Sequence, residues 1–313
     1  MFAGAAVQSL AGDRLHLSHG PIDVVLRAWG AEVEVRRAHE AVVARFATVL
    51  AELAGELDEL RRPIAEEPRV EGPVARRMVA AVRPFAADFI TPMAAVAGSV
   101  ADELLAAMLA AAMLEKAFVN DGGDIALHLS PGERLAVGIA GDFSGRAVPA
   151  LNGAVMLRAE DGIGGIATSG FNGRSFTLGI ADSVTVVAAS AAAADAAATV
   201  VANAVDLDSP AIERRPASAL DPDSDLGDRL VTVAVGPLAP AEIDAALARG
   251  LQRALDYQRR GLIADAALML AGETRVLSTA TRHPGLSPAQ SRDSAANRNL
   301  RIDPGHSPRR IPG

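Results

Sequence analysis

FVNDGGDIALHL, residues 118–129, is where the character of the chain changes. Upstream, apolar residues recur three and four apart, as a helix buries them. Phe46, Leu50, Leu53, Leu57 and Leu60 predict a helix over about Ala38–Arg62 that Pro63 stops, and further helices are expected at Val74–Val82 and from Thr91-Pro92 to about Met113. Within and beyond the quoted stretch short apolar runs are broken by turn residues, the signature of strands. Phe118-Val119 leads into Asn120-Asp121-Gly122-Gly123-Asp124, and Ile125–Leu129 and Leu135–Ala140 are expected to pair as a hairpin around Ser130-Pro131-Gly132. Further strands fit 154–158, 165–168, 174–178 and 184–187. A long Ala-rich helix follows from Ser190 to Val205, then a polar loop over 206–227 and a strand at 230–235. A helix at 241–259 and a hairpin around Gly272 close the pattern. Near the start, residues 13–36 read as paired strands turning at His19-Gly20-Pro21. Strand runs separated by long helices, without strict βαβ alternation, predict an α+β domain, mainly antiparallel sheet packed with helices. The expected domain covers 10–277. Residues 278–313 hold five prolines, scattered arginines and no periodicity, and are expected to form a disordered basic tail.

Composition narrows the chemistry. Cysteine is absent among the 313 residues, so disulfides, thiolate metal sites and thiol nucleophiles are excluded. The single lysine, Lys116, has no glycine-rich loop before it, so no Walker-type phosphate loop is present. Net charge is −8. Six arginines against two aspartates make the last 36 residues +4, which leaves −12 for the rest. So acidic a body disfavours nucleic acid, whose affinity comes from phosphate neutralisation. The apolar stretches 93–114 and 184–205 carry Asp102, Glu103 and Asp195, each costing about 2.5–3.5 kcal/mol in mid-bilayer. No membrane span is expected, nor is Met1–Leu10 a secretory signal, lacking a basic start and a clear cleavage site. The expected location is cytoplasmic.

Three segments could carry chemistry. On the 190–205 helix, Asp195 and Thr199 stand four apart and so share a face. A carboxylate and a hydroxyl there could hold one Mg²⁺; alternatively Thr199 bonds back to the Asp195 carbonyl and Asp195 is solvated. In Asn120-Asp121-Gly122-Gly123-Asp124 the glycines would let backbone N–H groups approach a ligand, or simply make a tight turn. Ala167-Thr168-Ser169-Gly170 with Gly173-Arg174-Ser175 offers hydroxyls and one arginine to a phosphate, or a hairpin turn. Gly162-x-Gly164-x-x-Ala167 imitates a dinucleotide fingerprint, but a strand rather than a helix follows it, so it is rejected. Asp221, Asp223, Asp225 and Asp228 read as a solvated acidic loop.

These segments occur in one order: Gly98-Ser99-Val100-Ala101-Asp102, Asn120–Ile125, Ala167–Gly170, Ser183-Val184-Thr185-Val186, and Ala194-Asp195-x-x-x-Thr199. In that order the chain resembles the ApbE proteins, FAD:protein FMN transferases once called thiamine biosynthesis lipoproteins. Through His19–Asp23, Thr91–Gly98 and Gly173–Ser175 it is more similar to a cytoplasmic ApbE-like family. The resemblance covers about 10–275. It implies a single ApbE-like domain that binds FAD, with Mg²⁺ on Asp195 and Thr199. It also implies a flavin site lined by Asn120, Gly122, Gly123, Asp124, Thr168, Ser169, Gly170, Arg174 and Ser175. The implied partners are a flavin nucleotide and an acceptor protein. The transferases' His-x-x-Asp-Pro-x-Thr-Gly loop is replaced by Phe176–Asp182, without histidine or proline, and Ala97 stands where they have a lysine. Asp182 is then the carboxylate expected to act as base. The alternative is a non-catalytic flavin or nucleotide module in cofactor or sulfur metabolism.

Overall fold

Leu15 and Leu17, then Ile22, Val24 and Leu26, all turn the same way across a tight turn, and from this alternation the sheet begins. In a computed structural model, which describes residues 4–142, 150–173 and 175–277, they lie on β2 (Arg14–His19) and β3 (Ile22–Trp29). Leu17 pairs with Val24 and Leu15 with Leu26. An outer strand the alternation did not reveal, β1 (Ala6–Leu10), pairs with β2. The central strands are β4 (Lys116–Asp121), β5 (Asp124–Leu129), β8 (Gly165–Ser169) and β9 (Ser183–Ala188). The far edge is β12 (Asp265–Leu270) and β13 (Glu273–Leu277). Together they form a nine-stranded sheet in the order β1-β2-β3-β4-β5-β8-β9-β12-β13, antiparallel throughout. The protein is thus a single α+β domain with a mainly antiparallel sheet. Its middle is narrow: β5 and β8 share two residue pairs, Ile125↔Ile166 and Ala126↔Gly165.

Helices cover one face. Their longest members are α1 (Glu32–Gly55), α4 (Val96–Ala111), α5 (Ala191–Ala204) and α7 (Pro240–Arg259). Shorter α2 (Leu57–Leu60), α3 (Pro73–Val82) and α6 (Ala217–Leu220) lie between them in sequence. Leu17, Val24, Leu26 and Val119 pack with α1, α3 and α4, whereas Ala167, Val184, Val186 and Leu268 pack with α5 and α7. On the opposite face, Val137 of β6 (Arg134–Asp142) and Leu157 of β7 (Ala150–Arg158) cover Leu127, Ile166 and Val187.

The stretch from 92 to 111 is long and apolar enough to cross a membrane, with a mean hydropathy of 1.6. Its carboxylates have work inside the protein. Asp102 accepts from Ala191 N–H and Ala192 N–H, and Glu103 accepts from Arg45 and Arg77.

Several expectations change. The hairpin of 118–129 closes at Gly122-Gly123, both at positive φ, and β6 leaves the sheet to pair with β7 instead of β5. Residues 175–178 are not a strand: the Thr177 hydroxyl and Leu178 N–H both donate to Asn203 Oδ1, at 3.1 and 3.0 Å. Inside 206–227 lie β10 (Ile212–Pro216), paired with β11 (Leu230–Val235), and α6. The first helix starts at Glu32 rather than near Ala38. The tail expected at 278–313 lies outside the described residues, as does Arg174.

Candidate functional site

Two helix starts meet beside the narrow waist of the sheet, and each is capped by the other helix. The first turn of any helix leaves N–H groups without partners, and a carboxylate there is favoured by hydrogen bonding and by the helix dipole. Asp102 of α4 accepts from the first two N–H groups of α5, at 3.1 and 2.9 Å. Asp195 of α5 returns the arrangement, its Oδ2 accepting from Gly98 N–H in the first turn of α4 at 3.0 Å. Ser190 completes the α5 cap by accepting from Ala193 N–H. Such mutual capping needs the helices in near contact, and Gly98 permits it. A Cβ there would lie 2.4 Å from the Ala191 carbonyl oxygen.

From this junction a polar stripe runs along α5. Asp195, Thr199 and Asn203, spaced by four, line one cavity of about 410 Å³, while Ala196, Ala197, Ala198, Val200 and Val201 between them are buried. Among the described residues Thr199 has no hydrogen-bond partner, so the back-bond to the Asp195 carbonyl does not form. Across the cavity stand Asp124, Thr168, Ser169, Gly170 and Ser175. Asp124 Oδ1 accepts from Thr168 N–H at 3.2 Å, which ties β5 to β8 at the wall itself. Gly170 lets the wall approach the chain behind it: a Cβ would lie 2.6 Å from the Asp182 carbonyl oxygen.

The other expected site residues lie elsewhere. Asn120 Oδ1 accepts from Gly123 N–H at 2.8 Å, so it braces the hairpin turn, and neither it nor Gly122 or Gly123 lines the cavity. Asp182 stands behind the Gly170 wall, its carboxylate accepting from Ala271 N–H at 2.6 Å, and is not among the lining residues.

Some lining residues were not foreseen. The loop read as solvated brings Asp221, Asp223 and Asp225 to the cavity, held there by the buried Thr91 hydroxyl donating to Asp225. Arg61, at the end of α2, is the cationic side chain among the described lining residues. Asn203 could have been found from the sequence, since it continues the i, i+4 spacing of Asp195 and Thr199.

Charge is the dominant property of this site. Among the described lining residues, five carboxylates, Asp124, Asp195, Asp221, Asp223 and Asp225, face one arginine. Enclosure in the protein pushes Asp195 well above the usual carboxylate range; Asp124, Asp121 and Asp102 add repulsion, and the Gly98 N–H pulls the other way. Burial also raises Asp102, opposed by its two N–H bonds and by Arg77. Among the described residues no three His, Cys, Asp or Glu side chains stand close enough to hold a metal. Asp195 and Thr199 offer one carboxylate and one hydroxyl. Those are hard oxygen donors of the kind Mg²⁺ takes while keeping water or phosphate oxygens as its remaining ligands.

A family model described as "AbpE bacteria" matches residues 6–276. A UPF0280 protein of Methanothrix thermoacetophila is 39% identical over 137 residues, 44% of this chain and 54% of that protein. A UPF0280 protein of Methanopyrus kandleri is 33% identical over 162 residues, covering 51% and 61%. The matched part therefore spans little more than half the length of these relatives. Among solved structures, the ApbE protein from Thermotoga maritima superimposes with a TM-score of 0.46 at 14% identity, over 90% of this chain and 98% of that one. The flavinyl transferase ApbE of Pseudomonas stutzeri, in its apo form, gives 0.35 at 14% identity over 89% and 96%.

Proposed function

The chain belongs to the ApbE-like family, and from that membership we propose that it binds a flavin nucleotide, FAD or FMN, together with Mg²⁺ held by Asp195 and Thr199. The observation that carries the proposal is the convergence of this helical pair with Thr168, Ser169 and Ser175 on one cavity. When bound, Mg²⁺ would neutralise phosphate charge. Asp195 and Thr199 would supply two of its oxygen ligands from one rigid helix, and the hydroxyls of β8 and its following loop would donate to the ligand's phosphate oxygens. Five carboxylates on the wall repel a bare nucleotide, so affinity should depend on the cation.

Transfer of FMN to an acceptor protein is a finer matter. It requires an acceptor hydroxyl aligned with the diphosphate and a base within hydrogen-bond reach. Asp182, the carboxylate expected to take that proton, stands behind the wall and is engaged by Ala271. We therefore favour binding with slow transfer, which is the reading of a flavin module in the cytoplasm more than of an efficient transferase.

Absorbance between 350 and 500 nm, followed by FAD titration with and without Mg²⁺, tests the reading in wild type and Asp195→Asn. The asparagine keeps an acceptor for Gly98 N–H but lacks the charge. Metal-dependent binding in wild type alone supports the proposal; binding that ignores both metal and substitution refutes the Mg²⁺ assignment. Covalent flavin on a threonine-containing acceptor domain, measured separately, would show that transfer had been underrated.

A further inference from the structure

Arg61 lines the same cavity as an acidic loop, yet among the described residues it has no ion-pair partner. Arginines on protein surfaces usually find a carboxylate, and here three are at hand on 221–225. Among the described residues, however, its guanidinium has neither an ion pair nor a hydrogen bond. It is also the one cation among the described lining residues, half-buried, at the end of α2. An unengaged guanidinium fork matches a phosphate group in shape and charge.

We propose that Arg61 is a phosphate-contacting residue of this cavity, and that it restricts the ligands to those carrying a phosphate. The inference rests on the ligand site put forward above and gives it selectivity. Mg²⁺ and the hydroxyls of β8 would also meet the phosphate, so the share of the selectivity that belongs to Arg61 is the part its removal takes away. A guanidinium placed among carboxylates rewards only the phosphorylated form. Wild type should therefore bind FAD, FMN and ADP in preference to riboflavin, with ADP sampling the diphosphate without the flavin ring.

The test measures dissociation constants of these four ligands, with Mg²⁺ present, for wild type, Arg61→Ala and Arg61→Lys, with thermal midpoints as a check on folding. Losing a charge-assisted contact should weaken FAD, FMN and ADP about 10- to 100-fold in Arg61→Ala. Riboflavin should be unaffected. Arg61→Lys should recover only part of the loss, because an ammonium cannot make the two parallel bonds of the fork. Equal affinities in wild type and Arg61→Ala would overturn the proposal, and so would a uniform loss that includes riboflavin. Full recovery by lysine would reduce Arg61 to a background charge and overturn the direct contact. Wild type that binds ADP but no flavin would refute the flavin reading and leave Arg61 to be judged on ADP alone. Wild type that binds none of the four would refute both.

Discussion

Replacing Gly98 with alanine probes the junction on which the cavity is built. In an ordinary helix the change is favourable, by about 0.5–1 kcal/mol, because glycine loses more backbone freedom on folding. At this position the new Cβ would sit 2.4 Å from the Ala191 carbonyl oxygen, 2.6 Å from its carbon and 2.8 Å from Ala192 N. All three are backbone atoms, so no side chain can rotate away. Carbon needs about 3.5 Å from such neighbours, so α4 and α5 must part by roughly 1 Å. The three capping bonds between the helices, at 3.0, 3.1 and 2.9 Å, would then stretch past hydrogen-bonding range. Overpacking typically costs about 1–3 kcal/mol and a lost cap about 0.5–2. After the helix-propensity gain, a net loss of roughly 0.5–4.5 kcal/mol is expected, with a fall in Tm of about 2–4 °C for each kcal/mol. A thermal melt followed by circular dichroism measures it. Gly55→Ala is the control, since a Cβ there meets nothing within 4 Å. A Gly98→Ala protein as stable as wild type, or more so, would refute the close approach and with it the reciprocal capping.

Two other outcomes follow from buried acidic contacts. Asp102 has a folded pKa raised by burial above its unfolded value of about 3.9. Between those two values the folded state holds the extra proton, so this group's contribution to stability falls as pH rises through that window. Asp102→Asn keeps one acceptor oxygen where two N–H groups donate, so it should be less stable overall but lose the pH-dependent contribution, and parallel Tm–pH curves for the two proteins from pH 4 upward would disprove the buried-acid assignment. At the far end of the helical layer, the buried Tyr257 hydroxyl donates to Asp88 at 2.8 Å, and Arg253 holds the same carboxylate. Tyr257→Phe should cost about 1–2 kcal/mol in a urea titration, with no change in cavity binding; an unchanged midpoint would mean that the bond contributes nothing.

Which parts of this were readable from sequence depends on how local the cause is. The helix carrying Asp195 and Thr199 was legible because Ser190 caps it and its polar residues recur every fourth position. The β12–β13 hairpin was legible from Gly272, which takes the positive φ the turn needs. Ser130-Pro131-Gly132 correctly announced a turn, but a turn signal does not say which strand the chain will join next, and β6 went to β7. β10 was missed because IERRP is only half-buried and has a single neighbour, which leaves little hydrophobic alternation to read. At the site, Arg61 belongs to no motif that marks it, and the aspartates of 221–225 read as a solvated loop. Their meaning comes from Thr91, 134 residues away from Asp225. No local pattern encodes such a contact.

The narrow waist of the sheet also bears on how the molecule is assembled in time. Five strands precede it and four follow it; hairpins supply β1–β2, β2–β3, β4–β5 and β12–β13, while β3–β4 and β9–β12 pair across long stretches of chain and the joint between the two sets has two residue pairs. Every bond that builds the cavity across this joint links distant parts of the chain: 44 residues separate Asp124 from Thr168, and 97 separate Gly98 from Asp195. Contacts of that span form late, because the loop entropy of bringing them together is lost before they stabilise anything. A newly made chain can therefore hold most of its strands and still have no cavity. The cavity is complete only once the two halves have docked, and a ligand that needs both would in turn act as their clasp.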